Sequence, residues 1–177
     1  MGGFKNLLDF YIDASIHVAA AVTALTWITF WEFDIQTDFT ILFFNFFATI
    51  TGYNFVKYFG LAKFHHRSLA KWLRTIQIFS AICFVILAYL TFQLPIRTIL
   101  YLAVLGVITF LYAIPFLPSE YFLDGNKNLR SISGLKIYLI ALIWGIVTVV
   151  IPLINNNVTI GPDAFITGVQ RFLIVLV

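Results

Sequence analysis

The chain has 177 residues, of which 61% are hydrophobic and 11% charged, where a soluble globular domain carries about 25% charged residues. Its mean hydropathy is +0.96 and its formal net charge +3. These values exclude an ordinary soluble enzyme, and they make the basic residues markers of membrane topology that meet headgroups, not a nucleic-acid surface.

The apolar residues fall in segments of roughly 20, the length an α-helix needs to cross about 30 Å of hydrocarbon. A β-barrel would instead show alternation over strands of roughly 10 residues. The expected fold is therefore all-α: a polytopic membrane helical bundle of about six transmembrane helices forming a single domain. Cys83 is the lone cysteine and has no partner for an intramolecular disulfide.

Met1 to Asp13 places Leu7, Leu8, Phe10 and Ile12 between Lys5, Asp9 and Asp13, which suits a short amphipathic lead-in at the interface. The apolar run that follows is too long for a secretory signal peptide. A first span is expected from about Ala14 to Phe33, with Trp27, Trp31 and Phe33 toward its far end, where aromatic rings favour the headgroup region. His17 follows Asp13 by four residues, the spacing of a hydrogen-bonded pair on one helix face. Glu32, Asp34 and Asp38 then make an acidic joint.

The second span, about Phe39 to Phe59, is rich in phenylalanine but contains Asn45, Thr49, Thr51, Asn54 and Lys57. Phe43, Phe44, Phe46 and Phe47 suit packing or lipid contact better than a lipid-tail groove. Asn45 and Asn54 are costly in lipid and should face the bundle interior. For Asn54 a functional role and plain interhelical hydrogen bonding both fit. A basic connection follows, carrying Lys63, His65, His66, Arg67, Lys71 and Arg74. His65 and His66 are adjacent and poorly suit a two-histidine metal site, which favours i, i+4 spacing.

A third span is expected over about Thr75 to Phe92, a turn at Pro95 and Arg97, and a fourth span from Ile99 to Ile114, stopped by Pro115 and Pro118. The polar connection from Ser119 to Gly134 contains the turn formers Asp124, Gly125, Asn126 and Asn128. A fifth span, about Leu135 to Ile154, is interrupted near its end by Pro152. The last segment, Asp163 to Val177, measures about 22 Å as helix and is short for a span. A continuing chain or a protein partner covering this end is expected.

Counting basic residues on alternate joints places Lys5, the Lys57–Arg74 group and the Lys127, Arg130, Lys136 group on one side, against Arg97 on the other. The positive-inside tendency makes that side cytoplasmic. The cations gathered there, with Asn54 and Tyr112, suit an anionic headgroup or a diphosphate, because arginine grips phosphate oxygens in a fork and lysine supplies a compact charge. The competing reading is that they set topology and snorkel to headgroups. The candidate substrate-binding residues are Asn54, Lys57, Arg67, Tyr112, Arg130 and Lys136. There is no serine, histidine and acid constellation, no glycine-rich phosphate loop and no CxxC.

Three stretches together resemble the UbiA-type superfamily of intramembrane prenyltransferases. The second span ends in Gly52-Tyr53-Asn54, where that family has NDxxDxxxD. The fourth ends in Leu111-Tyr112-Ala113-Ile114-Pro115, similar to its tyrosine-proline stop, and Asn128 to Lys136 is similar to the segment entering its fifth helix. The resemblance implies the amino-terminal two thirds of a nine-helix bundle that binds a prenyl diphosphate through magnesium. Counted from Asn54, however, the motif's aspartates fall at Phe55, Tyr58 and Ala62, none of them acidic. Magnesium needs carboxylate or phosphate oxygens, so the resemblance implies the fold more strongly than the activity, with Lys57, Arg67, Arg130 and Lys136 left to grip a diphosphate without metal. The rival expectation is a non-catalytic multi-pass subunit or a truncated remnant that serves assembly.

Overall fold

The computed structural model describes residues 2–58, 67–113 and 135–177. Lys63, His65, His66, Pro115, Pro118, Asn126 and Arg130 lie outside the described residues. Every regular element among the described residues is helical: α1 (Gly2–Asp13), α2 (Ile16–Glu32), α3 (Phe39–Tyr58), α4 (Arg67–Thr91), α5 (Ile96–Ala113), α6 (Leu135–Gly145), α7 (Ile151–Asn155) and α8 (Pro162–Leu176), with a π-helical turn, Ile146–Val150, joining α6 to α7. Among the described residues, three stretches are long and apolar enough to cross a membrane: Phe39–Tyr58, Trp72–Thr91 and Ile137–Asn155. Phe4–Asp13 and Ile16–Glu32 pass that test as a pair bent by 62°, and Ile96–Tyr112 is apolar but shorter.

The largest departure from the expected boundaries is at α4, which opens at Arg67 and not at Thr75. Lys71 and Arg74 therefore belong to helix and not to a connection. No glycine or proline lies between Arg67 and Thr75, and lysine, arginine, leucine and alanine are good helix formers. The charge of this stretch suggests a connection, but its helix propensity prevails.

The chain forms two compact units, Met1–Ile28 with Thr37–Gln93, and Thr29–Gln36 with Leu94–Val177. In the first, α3 packs along α4. Its core is built on Ala19, Ile50 and Cys83, flanked by Ile16, Phe46, Phe47 and Phe79. Phe44 is buried and Phe43 exposed, so the phenylalanine run divides between packing and the outer surface. Asn45 is buried as expected: its amide donates to Thr26 Oγ1 at 3.1 Å, and that hydroxyl donates back to the Val22 carbonyl at 2.9 Å. Asp38 caps α3, accepting from the backbone N–H of Thr40 at 2.8 Å and of Ile41 at 3.3 Å, donors that the first turn of a helix otherwise leaves open.

The second unit centres on Val149, Leu153 and Ala164, with Phe33, Ile35 and Val158 against them. Two helix ends here close in the same way. After α2, Asp34 takes a positive φ of 49°, and the N–H groups of Ile35 and Asp34 return to the carbonyls of Phe30 and Trp31. After α7, Asn157 takes φ 56°, and Val158 and Asn157 return to Leu153 and Ile154. Both are Schellman closures with a short polar residue at the left-handed position. The interruption expected near Pro152 is present just ahead of it, at Ile146–Val150. The helix widens into the π turn, where the Ile151 N–H reaches the Ile146 carbonyl, and then continues to Asn155. An inserted residue of this kind is a common way for a helix to absorb a local break in its ladder.

Within this unit Thr98 on α5 donates to Asn155 Oδ1 at 3.0 Å in a buried contact. α6 and α8 approach so closely at Gly145 that a Cβ there would stand 3.1 Å from the Gly168 carbonyl oxygen. Small residues permit such backbone approach between membrane helices.

Candidate functional site

The polar residues of the first unit converge where α1 gives way to α2. The turn exists because Ser15 adopts φ 60°, the left-handed region, which ends α1 after Asp13 and starts α2 at Ile16 on a new axis. Ending a helix inside an apolar protein leaves carbonyls without partners. Here the side chains of α3 supply them. Asn54 donates through Nδ2 to the Ala14 carbonyl at 3.2 Å and to Ser80 Oγ at 2.8 Å, and its Oδ1 accepts from Ser15 Oγ at 2.8 Å. Lys57 Nζ donates to the Asp13 carbonyl at 3.1 Å, and the Tyr58 hydroxyl donates to the same oxygen at 2.9 Å.

The Asp13 side chain completes the cluster. Its Oδ2 accepts from Trp72 Nε1 at 3.0 Å, and its Oδ1 lies 3.4 Å from Lys57 Nζ. Both partners of that ion pair are about two fifths exposed, so the pair itself contributes well under about 1 kcal/mol. Lys57 Nζ also sits 5.2 Å from the centre of the Tyr58 ring. Phe10 on α1 meets Trp72 and Phe79 edge to face, at centroid separations of 5.9 and 5.3 Å.

The expected Asp13–His17 pair does not form. The left-handed Ser15 between them breaks the helical register on which an i, i+4 contact depends, and His17 Nδ1 lies instead 3.4 Å from the Tyr11 carbonyl. Sequence reasoning found Asn54 and Lys57 but missed Asp13 as the hub, with Ser15, Trp72 and Ser80 around it. The available signal was a carboxylate followed at once by an apolar run, a position that needs a partner.

Asn54 and Lys57 are brought together, one helical turn apart on α3. Arg67 opens α4 and Lys136 is the second residue of α6. Arg130 lies outside the described residues. Tyr112 is buried near the end of α5, in the second unit. Arg74 is exposed on α4, at the end of the α3–α4 pair that carries Lys57.

Magnesium, which the family resemblance implies, does not fit the donors present. Tyr58 commits its hydroxyl to Asp13, Phe55 and Ala62 offer no oxygen ligand, and the Asp13 carboxylate is already engaged by Trp72 and Lys57. Among the described residues, no group of three or more His, Cys, Asp or Glu side chains is placed to hold a metal ion. Of the three protons on the Lys57 ammonium, contacts to Asp13 use two. Among the described residues that leaves one donor, about two fifths exposed and beside a tyrosine ring.

A second charged feature lies in the second unit. Arg171, in the apolar α8, is 4% exposed, and its Nη2 donates to Glu32 Oε2 at 2.8 Å. Its Nε has no hydrogen-bond partner among the described residues. Glu32 is thus more than part of an acidic joint: it neutralises a buried guanidinium. Protein-family models, curated proteins and solved structures show no match to this chain.

Proposed function

We propose that the protein is a multi-pass inner-membrane protein of about six spans, with a cytoplasmic amino terminus, that binds an isoprenoid diphosphate or another lipid with an anionic head at its cytoplasmic face. In this reading it is a diverged relative of the UbiA-type prenyltransferases. The observation that carries the proposal is the state of Lys57: half-exposed, stacked near Tyr58, and with one ammonium proton uncommitted among the described residues. Exposed Arg74 adds a second cation at that end of α3 and α4. Trp72 and Tyr58 are aromatic side chains with polar tips, which favour the headgroup layer where a lipid phosphate would lie. Arg67, Arg130 and Lys136 remain candidates on their charge and chain position, and Tyr112 on its place at the end of α5. Asn54 takes a supporting role, because its amide is occupied in holding the turn.

That same occupancy favours a second reading, a non-catalytic membrane subunit whose helices serve assembly with a partner. Lipid analysis of protein purified in mild detergent separates the two. Retention of an anionic lipid or polyprenyl diphosphate by the wild type, and its loss from Lys57→Ala/Arg74→Ala, supports the binding reading. A stoichiometric protein companion with no retained lipid supports the subunit.

A further inference from the structure

The end of α1 is fixed, and the rest of α1 is apolar on a face that none of the described residues covers. Phe4, Leu7, Leu8, Tyr11 and Ile12 recur at i, i+3, i+4, i+7 and i+8, the spacing of a single helical face, and each is between 39% and 77% exposed. Lys5, Asn6, Asp9 and Asp13 fall on the other side. Phe10 lies between the two faces and packs on Trp72 and Phe79. The exposed face is therefore not the face that holds α1 to its own unit.

We infer that α1 is an in-plane membrane helix whose occupant is the headgroup–acyl boundary of the bilayer, held at its angle by the Asp13 cluster. Three observations lead to lipid. First, α2 has 17 residues, about 25 Å of rise, so it uses most of the hydrocarbon thickness and brings Ser15 to the boundary. Second, the bend of 62° between Phe4–Asp13 and Ile16–Glu32 lets ten residues of α1 advance only about 7 Å along the α2 direction while running about 13 Å sideways. The polar layer beyond the hydrocarbon is itself about 6 Å deep on each side. Third, the bend is built in. The carbonyls of Asp13 and Ala14 are taken by Lys57, Tyr58 and Asn54, and the Asp13 carboxylate by Trp72.

α1 carries one lysine against two aspartates, so its contact with the membrane is apolar rather than electrostatic. This separates it from the anionic-lipid site proposed above, on which it does not depend. Its depth is the same in zwitterionic and in anionic bilayers.

The test uses full-length protein in nanodiscs of phosphatidylcholine, with and without phosphatidylglycerol, in a Cys83→Ala background. Spin labels placed singly at Leu7→Cys, Leu8→Cys, Asn6→Cys and Asp9→Cys are read for accessibility to oxygen and to a water-soluble nickel chelate. The inference predicts that positions 7 and 8 are oxygen-accessible at a depth of about 5 to 10 Å, that positions 6 and 9 are nickel-accessible, and that neither set moves with lipid charge. Four nickel-accessible positions would overturn it, as would four positions deep in hydrocarbon or four shielded from both reagents. Hydroxyl-radical footprinting of the unmodified protein provides a check without substitutions: Phe4 and Tyr11 should be protected in nanodiscs, and oxidation of both would also overturn the inference.

Discussion

Replacing Asn54 by alanine removes two donated hydrogen bonds and one accepted one from a side chain that is 3% exposed. Interhelical hydrogen bonds in membrane proteins average about 0.6 kcal/mol each, giving roughly 2 kcal/mol for three. The Ala14 carbonyl at the end of α1 is then left without this donor, which adds about 1 kcal/mol or more. A loss of about 3 kcal/mol is expected, against roughly 0.6 kcal/mol for Ser80→Ala, which deletes one of the three contacts. Cys83 is a natural reporter, because it is 1% exposed in the core of the same unit. Its alkylation rate across a denaturant series in bicelles gives the unfolding free energy of each variant. Asn54→Ala within about 0.5 kcal/mol of the wild type would behave as an uninvolved surface substitution and refute the structural role, returning Asn54 to the candidate binding residues.

Arg171→Met should destabilise the second unit by about 2 to 3 kcal/mol. That is below the roughly 3 to 5 kcal/mol that breaking a fully buried ion pair costs, because Glu32 keeps 35% of its side chain exposed. The double variant Arg171→Met/Glu32→Gln should regain most of the loss, and thermal unfolding in detergent checks both. Gly145→Ala should cost about 1 to 3 kcal/mol by overpacking, since its Cβ would meet the Gly168 backbone, whereas Gly168→Ala should be tolerated, with nothing within 4 Å of its own added Cβ. In intact cells, an impermeant thiol reagent should label Gln36→Cys and Asn156→Cys but reach His65→Cys and Asn126→Cys only after permeabilisation; the reverse pattern would overturn the orientation.

The helical class was legible because hydrocarbon-length apolar runs leave few alternatives, and Asn45 could be placed inside because an amide in lipid must find a partner. The ends of elements were less legible. Arg67 to Arg74 looked like a connection because charge was conspicuous, while the absence of a helix breaker was the better guide. Pro152 marks an interruption near the end of its helix, but nothing in its neighbours announces that the break takes the form of a π turn. Asp13 illustrates the remaining gap. Its i, i+4 relation to His17 is a local pattern, but Ser15 at positive φ cancels it, and the actual partners Lys57 and Trp72 stand 44 and 59 residues away. Pairing at that range is set by how α1 packs on α3 and α4, which a local pattern does not encode. The same holds for Glu32 and Arg171, 139 residues apart.

The central claim is that cations, and not a metal, would hold an anionic lipid head at the basic face. Binding of a prenyl diphosphate analogue to the purified protein tests it most directly, with and without magnesium, for the wild type and for Lys57→Ala/Arg130→Ala. Two charge-assisted contacts at about 1.5 kcal/mol each predict a loss near a hundredfold for the double variant, and no dependence on magnesium in the wild type. Binding that requires magnesium, or binding that the double substitution leaves unchanged, would contradict it.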